Sequence, residues 1–563
     1  MKGSEKYGTI VLYHKKQIQE EELIVGVRSI GMFTFNRNTN FIAENASVPV
    51  RNAISLLERD RNEIFLNSSK PGGSVVLVQK SMARSGSEPE ESEEQRRRES
   101  CFAEERYKIS VSSDKIVIFA QGDRGFIYGL LYLSEHYLGV CPFWFFMDRR
   151  VEQKKKVHVQ EGVVSSKDPV VPERGWCFND RTLMSGWSYN ENGMEGWKMC
   201  LEALLRCGGN TVVAGSEEIS EAVCSLAEEY GLRQTNLQKS EETAFCFNLQ
   251  PSNHVTMLPH SVASVNQSFH AALQQGKNSS WIVQCSNVRP HVYFLDVVRK
   301  KWQGEEVSEA SQAEAFVCEY YTECEKREEI AALYMEYPSV MMRLEEKEEG
   351  IGELYYTENV RLFCHQLLVD KNSPAKELLM LVENESLSCQ IREFGEVCKQ
   401  QKEELEQLCV ACTVVENGLQ QKALLSATIG LHIKLHQTCR RAARCFARGY
   451  ESFLEGDYER AFLRFGDSAV WFDKGDALLR GAEYGVWKNF YANDCITDIK
   501  HTAYMVRKVM GVVRELGDNA KHDSWYQKYC LSAEEQEVKR NHIAENHKTD
   551  LELYEAMKKR VVR

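Results

Sequence analysis

Three stretches place polar side chains where parallel strands would end. Arg174 to Phe178 runs into Asn179-Asp180, Thr211 to Ala214 runs into Gly215-Ser216-Glu217-Glu218, and the strand beginning at Trp281 ends near Asn287-Val288-Arg289. Barrels built from β/α units carry their reactive groups at the C-terminal ends of the strands. Two carboxylate sources, Asp180 and Glu217 or Glu218, together with an amide and a guanidinium, suit glycoside hydrolysis: one acid protonates the leaving oxygen while a second carboxylate acts as nucleophile or base. The same residues also fit helix N-caps, because an acidic side chain just before a helix accepts its free backbone N–H groups. Spacing leaves both readings open.

Other constellations have plainer explanations. His432 and His436 share a helix face with Cys439 one turn on, a spacing that could reach a metal, but no acidic residue follows the first histidine as in His-Glu-x-x-His, and they read as packed histidines of a bundle. Cys409 and Cys412 have redox-motif spacing inside a long helix, where nothing would stabilise a thiolate. Tyr450 to Leu479 has the look of a single helical-repeat unit, which without further copies is one hairpin of a bundle. No cofactor and no metal is expected. The aromatic run Phe143-Trp144-Phe145-Phe146 reads as a buried corner between two domains.

The elements that must position these groups fall into zones. A chain of 563 residues exceeds a single core, and 43% hydrophobic with 27% charged residues is an ordinary globular composition. From Thr9 to Gly162, strands at Ser74 to Val78, Tyr107 to Val111 and Lys115 to Ala120 alternate with helices at Val48 to Arg59 and Phe126 to Tyr137, which makes residues 1–165 an α/β domain. Residues of about 84–104 include SGSEPEESEEQRRRES, too poor in large apolar groups to offset ordering entropy, and are expected to be a mobile loop. Residues 166–305 alternate strands (Arg174 to Phe178, Thr211 to Ala214, Ala244 to Leu249, Trp281 to Cys285) with helices (Met194 to Arg206, Ile219 to Tyr230), the pattern of parallel β/α units. Residues 306–535 are helical, with long segments at Ala310 to Arg343, Leu354 to Val369, Ser386 to Glu416 and Leu419 to Phe453, and residues 536–563 form a charged tail.

A formal charge of −12 argues against nucleic acid as a partner, since the short basic runs at Arg96 and Lys154 sit among acids or at strand ends. No apolar run reaches membrane-spanning length, the N-terminus lacks signal-peptide character, and the 19 cysteines are scattered through apolar helical contexts as in a reducing compartment. A cytoplasmic protein with no membrane partner is expected.

Several segments together resemble glycoside hydrolase family 115, the α-glucuronidase family. Gly122-Asp123-Arg124-Gly125-Phe126-Ile127-Tyr128-Gly129, Leu133-Ser134-Glu135 and Leu138-Gly139-Val140-Cys141-Pro142 are similar to its link between N-terminal domain and barrel. Pro172 to Asp180 is similar to its first barrel strand, Leu204-Leu205-Arg206, Asn210 and Ala227 to Gly231 to its second unit, and Gly276 to Pro290 to a late strand. The resemblance implies an N-terminal α/β domain, a TIM-type barrel acting on glucuronic acid side chains of xylan, and a helical domain through which relatives dimerise. It also implies substrate contacts at Arg174, Asn179, Asn287 and Arg289, and catalytic roles for Asp180 and Glu217 or Glu218.

The departures from the family pattern are equally specific. Asn179-Asp180-Arg181 stands for Asn-Asp-Glu, Thr211, Val213 and Glu217 stand where aromatic residues follow Asn210, Gln238-Lys239-Ser240 stands for His-His-Glu, and Gln284, Asn287, Arg289 and Val292 stand for Asn, Asp, Lys and Glu. Val170 to Glu305 spans only about half of the roughly 250 residues that eight β/α units need. The expectation is a truncated TIM-barrel-like domain with weakened or lost hydrolysis, binding a glucuronoxylan-type oligosaccharide if active; the alternative is a non-catalytic carbohydrate-binding or scaffold protein with a helical interaction domain.

Overall fold

The computed structural model describes residues 31–67, 70–80, 93–149, 151–177, 180–213, 221–235, 244–248, 255–257, 260–322, 324–344, 349–350, 352–371, 373–379, 386–400, 402–518, 525–534 and 548–561. Alternating burial along β4 (Tyr107–Val111) and β5 (Lys115–Ala120) turns Ile109, Val111, Ile116 and Ile118 inward. These strands join β2 (Asn40–Ile42), β3 (Ser74–Gln79) and β7 (Gly162–Ser165) in a mixed sheet of order β2-β3-β5-β4-β7, beside the antiparallel pair β1 (Met32–Phe35) and β6 (Val157–Gln160). Helix α1 (Val48–Ile64), capped by Ser47, and helix α3 (Asp123–Tyr132) pack together here.

Between them, the expected mobile loop at 84–104 is corrected in part. Residues from Glu93 onward form helix α2 (Glu93–Glu105), while 84–92 lie outside the described residues. Glu, Gln and Arg are strong helix formers, and Phe102 and Ala103 at the helix end are buried. Arg106 then ties Glu99 to Asp168.

The second sheet is parallel throughout. It contains β8 (Glu173–Cys177), β9 (Thr211–Val213), β10 (Arg233–Thr235), β11 (Ala244–Asn248) and β12 (Ser280–Gln284), in the order β10-β9-β8-β12-β11. The first strand in the chain lies at the centre with the last beside it, which is the neighbour relation of a closing barrel. Among the described residues β10 and β11 do not pair, so the wall is an open five-stranded arc. Helices α4 (Arg181–Gly186) and α5 (Glu195–Arg206) lie between β8 and β9, α6 (Glu221–Glu229) between β9 and β10, α7 (Val262–Gln274) between β11 and β12, and α8 (Val292–Trp302) after β12. Gly175 is required on β8, because a methyl group there would run into the Thr211 carbonyl of β9. Helix α8 is buried on nearly every side, as a helix covered by sheet on one face and by other helices on the opposite face must be.

The remainder is helical: α9 (Glu309–Tyr320), α10 (Arg327–Val340), α11 (Leu354–Val369), α12 (Leu387–Val397), α13 (Lys402–Asn417), α14 (Lys422–Ala427), α15 (Ile429–Leu454), α16 (Tyr458–Gly481), α17 (Ile499–Gly517), α18 (Trp525–Cys530) and α19 (Asp550–Val561). Three of the long helices read from sequence are each two, interrupted at Tyr321, from Cys398 and at Thr428. Helices α15 and α16 form the hairpin expected at Tyr450 to Leu479, turning at Gly456 in the left-handed region (φ 80°) with Asp457 as the next N-cap. The charged tail at 536–563 is also corrected in part: its end is helix α19, whose Leu553 and Met557 are fully buried, with Tyr554 donating to Asp467 at 2.7 Å. Amphipathic spacing of Leu553 and Met557 at i and i+4 carries that packing. Among the described residues no helix is long and apolar enough to cross a membrane.

Candidate functional site at the C-terminal ends of the parallel strands

The chain leaves β8 through Phe178 and Asn179, which lie outside the described residues, and re-enters at Asp180. Asp180 is 6% exposed and caps α4: its Oδ1 accepts from Leu183 N at 3.0 Å and from the Thr182 hydroxyl at 2.8 Å. Capping of this kind satisfies a backbone donor that would otherwise face an apolar surround.

On the neighbouring strand, β12 ends in Cys285-Ser286-Asn287-Val288-Arg289. Asp180 N donates to Ser286 O at 3.2 Å, and the Asn287 amide donates to Asp180 Oδ2 at 3.4 Å. Asn287 Oδ1 in turn accepts from Arg289 N at 3.2 Å. Ser286 sits in the left-handed region (φ 46°), an uncommon place for a non-glycine residue and one that clusters at functional turns. The tight turn aims Arg289 across the strand ends.

Arg289 is 5% exposed; among the described residues its guanidinium nitrogens make no well-aligned hydrogen bond, and the Tyr484 and Tyr491 hydroxyls are polar groups close to it. Its guanidinium lies 3.5 Å from the centroid of the Trp487 ring and 5.9 Å from that of Phe490. Trp487 stacks at 3° and 5.0 Å on Trp187, whose Nε1 donates to Val486 O at 2.7 Å. Phe145 closes the cluster 5.3 Å from Trp487, so the aromatic run at 143–146 does form an interdomain corner, and that corner ends on Arg289. One acid of the corner, Asp148, is already engaged, accepting from Tyr484 at 2.7 Å and from Trp487 Nε1 at 2.9 Å. Burial pushes the Tyr491 phenol up, with the charge of Arg289 opposing it.

Helix α15 supplies the remaining wall. Burial, with His291 and Arg289 adding to it, lowers His432 to about 3, and its Nδ1 accepts from Met257 N at 3.3 Å, so the ring is neutral. His436 is fully buried 3.4 Å from Glu353 Oε1, and Glu353 Oε2 accepts from the Thr256 hydroxyl at 2.5 Å. Among the described residues no group of His, Cys, Asp and Glu could hold a metal ion. Burial raises Cys409 to about 12 and Cys412 to about 11, so both remain thiols.

Of the residues singled out in the sequence, the fold brings together Asp180, Asn287 and Arg289. Glu217, Glu218 and Asn179 lie outside the described residues. Arg174 is at the opposite end of β8, buried against the N-terminal domain, where Nη2 meets Glu105 at 2.5 Å and Nε donates to Gly208 O at 2.9 Å. Asn210 joins it by donating to Glu105 Oε1 at 2.6 Å, and Arg124 reaches the same carboxylate at 3.2 Å. Sequence reasoning did not identify Trp487, Phe490, Tyr491, Asp148 or His432 as neighbours of the site. The signal for most of them is the aromatic-dense run Tyr484-Gly485-Val486-Trp487-Lys488-Asn489-Phe490-Tyr491 within an otherwise charged helical half.

No family model matches the sequence, and no curated protein sequence matches it. Among solved structures the chain is similar to a family GH115 4-O-methyl-α-glucuronidase with specificity for decorated arabinogalactans: 12% identity, coverage of 84% of this chain and 80% of that one, and a TM-score of 0.53. A GH138 enzyme targeting pectin rhamnogalacturonan II covers 84% of this chain and 100% of its own at 10% identity, with a TM-score of 0.43. The chain therefore has a glycoside-hydrolase-like fold, a mixed α/β region with a parallel sheet followed by a largely helical part, and its structural likeness to carbohydrate-active glycoside hydrolases is distant.

Proposed function

We propose that this chain is a GH115-like protein of the α-glucuronidase type that holds a carboxylate-bearing carbohydrate at its strand ends and whose hydrolytic activity is weakened or lost. The observation that carries the reading is Arg289: a guanidinium 5% exposed, over the Trp487 ring and paired with no carboxylate among the described residues, at the end of a parallel strand. A buried cation without an anion is costly, and a carboxylate meets a guanidinium through two parallel charge-assisted hydrogen bonds. Uronic acids supply such a group on a sugar ring.

The same geometry favours binding over hydrolysis. Cleavage of a glycosidic bond uses two carboxyl groups about 5–5.5 Å or about 6.5–9.5 Å apart. Among the described residues, Asp180 here is committed to capping α4 and to Asn287, and Asp148 of the adjoining aromatic corner to Tyr484 and Trp487. The test is calorimetric titration with glucuronic acid beside an assay for 4-O-methylglucuronic acid released from glucuronoxylan. Saturable binding that Arg289→Met removes, with little or no release, is the expected result. Absence of uronic acid binding by the unaltered chain overturns the proposal, and release that Asp180→Asn abolishes overturns the loss of activity.

A further inference from the structure

A second charged feature lies well apart in sequence from the strand ends. Along α15, Arg440, Arg444 and Arg448 recur every four residues and so share one helix face. They line a groove of about 670 Å³ together with Lys402 of α13 and Trp471 of α16. Five basic side chains line this groove against two acidic ones, in a chain whose overall charge is −12.

The pairing within the groove leaves cationic groups over. Glu406 is taken by Arg441, which bonds both its oxygens and stacks on Trp471 at 4.7 Å, and by Gln437. Arg440 is 5% exposed, and among the described residues its buried Nη1 has no hydrogen-bond partner; neither has the buried Nε of Arg444. Like charges at i and i+4 destabilise a helix, and burying an unpaired guanidinium adds to that cost. Three arginines in a row, one of them buried and two with a buried nitrogen left without a partner, form a site ready for an anion.

We propose that this groove binds a phosphate-ester or pyrophosphate-type oxyanion. Guanidinium forks match tetrahedral oxyanions through paired N–H donors, and the excess of positive charge favours an anion carrying more than one charge. The volume falls in the range of small-molecule sites. A soluble phosphorylated metabolite and a phosphoinositide headgroup both present this chemistry.

Calorimetric titration of the full chain with pyrophosphate, against sodium chloride at matched ionic strength, tests the site. Saturable binding is expected, weakened by about tenfold or more in Arg444→Gln and in the exposed Arg448→Gln, whose side chain is not needed for packing. Lys508→Gln, an equal change of charge at an exposed position of α17 that does not line the groove, should leave it unaltered. Co-sedimentation with phosphatidylcholine vesicles, with and without a phosphoinositide, separates the sources: recruitment marks a headgroup, and pyrophosphate binding without recruitment marks a soluble ester. No saturable binding in either arm, or equal weakening by Lys508→Gln, overturns the proposal.

Discussion

The guanidinium carbon of Arg289 sits 3.5 Å from the centroid of the Trp487 ring, while Asp148 accepts from Trp487 Nε1 on the ring edge. The tryptophan thus holds a cation on its face and a carboxylate at its edge. A cation over a desolvated indole gains about 2 kcal/mol, which offsets only part of the cost of burying a charge without an ion partner, so replacing Arg289 by an apolar side chain of similar length removes a cost together with a contact. For this reason Arg289→Met should leave stability within about 1 kcal/mol of the unaltered chain, unlike most substitutions at buried positions. Urea unfolding checks it, and a loss well beyond that value would mean that Arg289 is a structural residue first.

Asp180 can be tested for its two roles separately. Asn is as good an N-cap as Asp, so Asp180→Asn should cost a few tenths of a kcal/mol, whereas Asp180→Ala should cost about 0.5–2 kcal/mol through the lost bond to Leu183 N. Thermal melts of the pair give the capping contribution, and only a chemical role would make the Asn variant behave differently from the unaltered chain in a release assay.

His432 predicts a pH dependence of stability with a definite sign. Its folded value of about 3 lies below the ordinary 6.5, so between these values the unfolded chain binds more protons than the folded one. The stabilisation is present in full above about pH 6.5 and is lost as the pH falls toward about 3, at up to about 1.4 kcal/mol per pH unit. Unfolding free energies measured across this window should be less steep in His432→Gln; an unchanged slope would place the proton elsewhere.

The join between the N-terminal domain and the β/α domain should be the costliest place to cut. Glu202 on α5 receives Arg206 at 2.8 Å and Arg59 of α1 at 2.7 Å, while Arg206 also meets Asp60 at 2.5 Å. Glu202, Asp60 and Arg206 are each at most 6% exposed. Burial alone would raise the Glu202 carboxyl, but the two arginines hold it below its usual range. Removing one member of a buried pair costs about 3–5 kcal/mol because the other is left uncompensated. Glu202→Ala should show a loss of this size in chemical denaturation, together with separate transitions if the two domains then unfold independently.

The packing of β8 against β9 yields a backbone prediction. Gly175→Ala places a methyl group against the Thr211 carbonyl, where nothing can rotate away. Overpacking of this kind costs about 1–3 kcal/mol, and a melting temperature equal to that of the unaltered chain would show that β9 can shift.

Local pattern determined a good deal of this protein. The strands Tyr107–Val111 and Lys115–Ala120 and the helix Leu354–Val369 have the predicted limits, because period-2 and period-3.6 burial are properties of consecutive residues. The parallel β/α zone and the helical half were legible for the same reason. Interruptions at Tyr321 and Thr428 were not, since the hydroxyls of these two residues bond each other at 2.8 Å across the bundle, and such a contact has no local signature. The motif residues Arg124, Arg174 and Asn210 were visible in the sequence, but only the fold shows them converging on Glu105 at the strands' N-terminal side, away from Asp180 and Arg289. Residue type and spacing therefore specified the elements and a list of polar candidates. Which end of a strand each candidate occupies, and that Trp487 comes from nearly two hundred residues away to meet Arg289, follows from long-range packing that brings sequence-distant surfaces out of water together, and this only the tertiary structure decided.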